Sequence, residues 1–310
     1  MHVKKAFTMI ELVFVIVVLG IVASIGSEII VQVYESYIIQ RATHNASLKS
    51  ELAINQIANR LLYRIDKSVL ARVPGNTAAV EGVDVYPLSK VPLGAAGVDT
   101  FTALEWIAYD NDGFTQSSQP AWSGFADLNA SKYTAIVTTG SKLSNETIVL
   151  RNLEGNNTIR PAIVFAAPTY RENEDYTATC MYSQTGCIFP VTFTGDNNLT
   201  FTTAGTDGNR TAGKMVYSEF YKLAGSAYAI VPENNSTIND VNVSDLVLYS
   251  NYQPWAGENY TQGDRSLLIP NVSVFRFKQE PNSIRIKLCT VVAIGSKEQI
   301  ATCKEKSVIR

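Results

Sequence analysis

Residues 13–25 form an apolar run almost free of polar side chains, and one carboxylate, Glu11, stands just ahead of it. With Phe7, Met9, Ile10 and Leu12 the run approaches the ~20 residues that a helix needs to cross a bilayer. A helix that is apolar all round has to be buried in protein or in lipid. A charge in such a helix costs roughly 2.5–3.5 kcal/mol at the bilayer centre on insertion scales. Glu11 is therefore expected to have a use that outweighs this cost.

The residues ahead of Phe7 are few and basic, with Lys4 and Lys5 among them. Lysines before the run and none within it place the N-terminus on the cytoplasmic side. An ordinary secretory signal carries its small-residue cleavage site after the apolar region. Here the small residue, Ala6, comes before it. A cut between Ala6 and Phe7 would remove the leader and leave the helix on the mature chain. The new α-amine on Phe7 would be cationic near neutral pH, with a reference pKa of about 8. In apolar surroundings that amine needs a counter-charge. Glu11 lies one helical turn along, within reach of its own amine or that of a neighbouring subunit.

The stretch Lys4-Lys5-Ala6-Phe7-Thr8-Met9-Ile10-Glu11-Leu12 resembles the class III signal of type IV prepilins and pseudopilins. In that family a prepilin peptidase cuts before the Phe and methylates the new amine. Ala6 stands where Gly is more usual, and Ala is also accepted there. The resemblance implies a processing site at Ala6 and Phe7, N-methylation of Phe7, and an intersubunit pairing of Glu11 that sets the axial step of a filament. It also implies a single-pass protein of the bacterial inner membrane, with a cytoplasmic N-terminus and a periplasmic head, which later enters a pilus or pseudopilus. The implied partners are the peptidase, other pilin or pseudopilin subunits, an inner-membrane assembly platform and membrane lipid.

The 310 residues suffice for one large domain or two small ones. The formal charge is −2, and loss of Lys4 and Lys5 makes the mature chain more acidic. Nucleic-acid binding rewards basic faces, so no nucleic-acid partner is expected. The cysteines are Cys180, Cys187, Cys289 and Cys303. An even number in a translocated domain points to disulfides. Of the possible pairings, Cys180–Cys187 and Cys289–Cys303 each close a short local loop. The spacing of Cys180 and Cys187 is not that of a zinc knuckle, and no His lies nearby, so no metal is expected there.

Beyond Glu28 the apolar residues keep a helical beat. Ile54, Ile57, Ala58, Leu61 and Ile65 share one face, with Asn55, Gln56, Asn59, Arg60 and Arg64 on the other. Pro74 is the first proline. One helix is expected over residues 7–68, roughly 90 Å long at 1.5 Å per residue. Residues 1–6 are then the leader, 7–30 the membrane half of the helix, 31–68 its amphipathic half, and 69–310 a globular head. Residues 71–99 read as a loop with a short strand near 83–86. Strands are expected at 133–139, 162–166, 215–221, 227–231, 246–249, 272–277 and 284–290. The last is the clearest, with Ile284, Ile286 and Leu288 alternating with Arg285 and Lys287. The fold class is α+β, a long helix packed on a mostly antiparallel β head. The apolar alternations at 246–249, 274–277 and 284–288, with Gln253-Pro254-Trp255 and Ser266-Leu267-Leu268, resemble the large minor pilins and the large minor pseudopilin of type II secretion. So does helix segment 51–66. Those subunits belong to initiation or tip complexes.

No constellation suggests an enzyme or a cofactor. His44 stands alone on the expected helix, and Gly94-Ala95-Ala96-Gly97 lacks the lysine and spacing of a phosphate loop. Asp110-Asn111-Asp112-Gly113 has some of the character of a calcium loop. In that register Ala108 would take the first ligand position and Gln119 the last, where a bidentate Glu is expected. Residues 109–114 read better as a hairpin turn. Asn-x-Ser/Thr occurs at Asn45, Asn129, Asn145, Asn156, Asn198, Asn209, Asn234, Asn235, Asn242, Asn259 and Asn271. An acidic residue stands two places before Asn129, Asn156, Asn198, Asn209, Asn235 and Asn242. This resembles the extended acceptor of some bacterial N-glycosylation systems, while surface loops are also simply rich in such residues. The leading expectation is a structural minor subunit. The alternative is an adhesin or binding module delivered by the helix, in which aromatics such as Trp122, Trp255 and the many tyrosines would form a binding surface; these aromatics equally suit a core, and most are expected there.

Overall fold

The computed structural model describes residues 8–92, 99–116, 118–132, 134–155, 159–165, 188–202, 218–294 and 298–309. Helix α1 runs Met9–Leu61. Its first half is exposed on every side, while Ala46, Ser50, Ala53, Ile54, Ile57, Ala58 and Leu61 are buried. Their spacing follows the helical period, so one stripe of the second half faces the head.

The helix stops seven residues short of the expected end at 68. Beyond Leu61 the backbone finds better partners in the head. The amide of Ile65 donates to the carbonyl of Ile107 and that of Tyr109 to Tyr63, both at 2.9 Å. The hydroxyl of Ser68 donates to Ile65 and Ile107 and anchors a 3-10 turn at Asp66–Ser68.

The strands are β1 Leu70–Arg72, β2 Val85–Pro87, β3 Ala103–Tyr109, β4 Asp127–Lys132, β5 Ala135–Val137, β6 Ala162–Phe165, β7 Phe189–Phe193, β8 Asn198–Phe201, β9 Tyr221–Ile238, β10 Val241–Tyr252, β11 Asp264–Glu280, β12 Ser283–Ile294 and β13 Glu298–Ile309. Among the described residues two short α-helices interrupt them, α2 Asn111–Phe114 and α3 Leu143–Glu154. The strands join in the order β13-β12-β11-β10-β9-β6-β7-β8-β5-β4. On the far edge of β9, β6 pairs residues 221–224, and β3 pairs 224–230 and carries β1 and β2 beyond it. These ladders are all antiparallel, which is the mostly antiparallel head expected. The β9–β10 hairpin turns at Asn239-Asp240, both with positive φ (43° and 67°). Asn and Asp tolerate that region better than other residues with a side chain.

Period-two alternation decides what each sheet face buries. Ile284, Ile286 and Leu288 of β12, Leu246 and Leu248 of β10, and Trp106 of β3 pack with Ile54, Ile57 and Leu61 of α1. Val247, Tyr249, Tyr252, Trp255 and Tyr260 make a second cluster on the opposite side. A third gathers Trp122, Ile136, Leu143, Ile163 and Leu223.

Several strand expectations sharpen. The strand near 83–86 is Val85–Pro87, that at 133–139 is Ala135–Val137, and that at 162–166 is Ala162–Phe165. The one placed at 215–221 begins at Tyr221, with 215–217 outside the described residues. The hairpin turn expected at 109–114 is instead the end of β3 followed by α2. Asp110 caps that helix, accepting the amides of Asp112 and Gly113.

Candidate functional site

The start of α1 is built by Thr8 and Glu11. Thr8 is the N-cap, and its hydroxyl accepts the amide of Glu11 at 3.4 Å. In return the Glu11 carboxylate accepts the Thr8 amide at 3.2 Å and the Thr8 hydroxyl at 3.1 Å. This is a reciprocal capping box, which satisfies donors that the first turn leaves free. Glu11 is exposed and held by its own first turn. Ala6 and Phe7, the expected processing and methylation residues, lie outside the described residues.

From Met9 onward the large side chains Ile10, Leu12, Phe14, Ile16, Leu19 and Ile21 are exposed. Among the described residues α1 is the one helix long and apolar enough to cross a membrane. Exposed apolar surface on this scale marks a surface that another phase or partner covers. Among the described residues nothing covers the first half of α1, so what surrounds Glu11 is left to lipid and to other molecules.

The second half of α1 is fixed to the C-terminal strands. Ser50 and Thr290 share a buried hydrogen bond at 2.8 Å, Lys306 donates to Asn55, and Lys304 pairs with Glu51 at 3.3 Å. Cys289 and Cys303 stand opposite each other in β12 and β13 and are disulfide-bonded. Cys180 and Cys187 lie outside the described residues.

Asn129, Asn198, Asn235 and Asn242 are exposed, and Asn156 and Asn209 lie outside the described residues. Some of the acidic residues ahead of them already have local partners. The Asp127 carboxylate accepts the amides of Asn129 and Ala130, Asp196 accepts that of Ser144, and Glu233 pairs with Arg265 at 2.8 Å and also binds the Tyr249 hydroxyl. The bonds of Asp127 and Asp196 fold loops and a helix start.

His44 is exposed on α1. Trp122 and Trp255, raised as surface aromatics, are core residues whose indole N–H groups donate to the carbonyls of Asp110 and Arg160, each at 2.8 Å. Among the described residues no group of three or more His, Cys, Asp and Glu side chains is arranged to hold a metal ion. The structure does bring one unforeseen pair together, Asp110 and Glu146, from two different elements. No local spacing in the sequence signals that contact.

Residues 1–27 match the family model of the prokaryotic N-terminal methylation motif. No curated protein and no solved structure is significantly similar to the chain. The motif and the geometry agree on α1, whose capped start carries Glu11 and whose apolar length stands free of the head. The motif marks a substrate of prepilin peptidase that assembles with other pilins, and the long apolar helix fits inner-membrane anchoring followed by entry into a pilus. The chain carries the N-terminal signature of the type IV pilin family, on an α+β, pilin-like arrangement of one long helix and a mostly antiparallel sheet.

Proposed function

We propose that the protein is a minor structural subunit of a type IV pilus or type II secretion pseudopilus, seated in an initiation or tip complex, and not an enzyme. It enters the inner membrane once, with its N-terminus cytoplasmic and its head periplasmic, and reaches the filament through the assembly platform. The observation that carries this reading is the exposed Glu11 carboxylate at the head of an apolar helix that the rest of the chain leaves uncovered. In lipid or in a bundle of such helices, the cationic α-amine of a neighbour is the partner that relieves the cost of that charge. The capping box is a holding arrangement that each subunit gives up or shares on assembly.

Replacing Glu11 by Ala should leave membrane insertion intact and abolish incorporation into sheared filaments, scored by fractionation and blotting. Normal incorporation of that variant would refute the role. Trp122 and Trp255 are in the core and give no support to the adhesin reading.

A further inference from the structure

Glu146 sits in the first turn of α3, wholly buried, and among the described residues neither of its carboxyl oxygens meets a hydrogen-bond donor. Its neighbour is Asp110, the cap of α2, whose oxygens already accept the amides of Asp112 and Gly113. Gly113 permits the approach. A Cβ there would stand 1.9 Å from Oε2 of Glu146 and 2.4 Å from Oδ2 of Asp110. The two carboxyl groups therefore crowd one glycine. The charged side chains acting on Glu146 are Asp110 and, from α2, the exposed Asp112, both acidic. From β9, Tyr221 faces the same region with its hydroxyl bonded to Thr138 at 2.6 Å. At the start of α3, Lys142 acts on Asp196.

A buried carboxylate crowded against a half-buried one, with no cation of the described residues between them, does not stay ionised alongside it. We propose that Asp110 and Glu146 share one proton, and that this proton is a pH-sensitive latch fastening α2 to α3. An O–H of one carboxyl donates to a carboxylate oxygen of the other. The amide bonds to Asp110 favour its charged form, so Glu146 is the proton carrier. Burial, then the Asp110 charge, push the Glu146 carboxyl up from its ordinary 4.5 to about 10, and burial also raises Asp110. A group raised on folding contributes stability that is fully present below its unfolded value and is lost as pH rises through the folded one. The latch is thus fully fastened in acid and weakens progressively between pH 4.5 and about 10. Other ties between the two segments, among them Asn145 to Gln116 at 3.3 Å and the Lys142 amide to Pro120 and Ala121, do not depend on the proton.

The test uses the full-length protein in detergent micelles. Thermal midpoints are measured at pH 5 and pH 8, with added calcium and with a chelator, for wild type and Glu146→Gln. The variant should raise the midpoint at pH 8 and shrink the difference between the two pH values, with or without calcium. Infrared difference spectra at neutral pH should show a protonated carboxyl in wild type that the variant lacks. Equal pH dependence in both proteins, with no such band, overturns the proposal. So does a wild-type midpoint that rises with calcium and falls with chelator while the variant is indifferent, because a cation then occupies the place of the proton. Asp110→Asn keeps a side chain able to cap α2. In that variant the Glu146 band should titrate at lower pH than in wild type, and an unchanged titration also overturns the sharing.

Discussion

Arg72 and Glu105 show how single residues hold this head together. Both are fully buried on paired strands, with Nε of Arg72 2.7 Å from Glu105. The second Glu105 oxygen accepts the hydroxyl of Tyr252, also at 2.7 Å, and Arg72 lies over the ring of Tyr260. A buried pair is weak evidence for net stability, but breaking it strands a charge, at about 3–5 kcal/mol. Glu105→Ala is therefore expected to destabilise the head by about that amount in denaturant titrations, more than a surface pair such as Arg276–Asp99 would on the same change.

At the scale of elements, α1 and the C-terminal strands form one unit. Ile57 is completely buried in the seam between them. Ile57→Ala should cost about 2–5 kcal/mol from lost burial and the cavity left behind. The disulfide closes β12 on β13 across a sequence separation of 14. By loop-closure entropy, Cys289→Ser with Cys303→Ser should cost about 3 kcal/mol, read as a lowered unfolding midpoint. The loss should appear first as faster amide exchange in β13, because β13 is the last strand of the ladder and is held on one side.

The whole molecule divides into a first half of α1 that the described residues leave bare and a head, packed on the second half, that buries its three tryptophans. Membrane extraction follows from that division. The full-length protein should resist alkaline carbonate and yield to detergent, since the exposed apolar length of α1 has no other cover. Mass spectrometry of the native product should find Phe7 as the first residue, methylated. A retained Met1 would contradict processing.

The sequence by itself determined the long apolar N-terminal helix and the place of Glu11 in its first turn, because hydrophobicity, charge order and spacing are local and add along the chain. It also indicated the alternation in β12, where Ile284, Ile286 and Leu288 are buried and Arg285 and Lys287 are not. The Asn239-Asp240 turn is also local, since these two residue types tolerate the positive φ it requires. Tertiary structure alone decided the end of α1 at Leu61, where hydrogen bonds to β3 outcompete a helical pattern that continues to Ile65. It turned the 110–113 segment into a capped helix and set Glu146 against Asp110. Each of these depends on which distant strand or helix a residue meets, and short-range pattern carries no record of that.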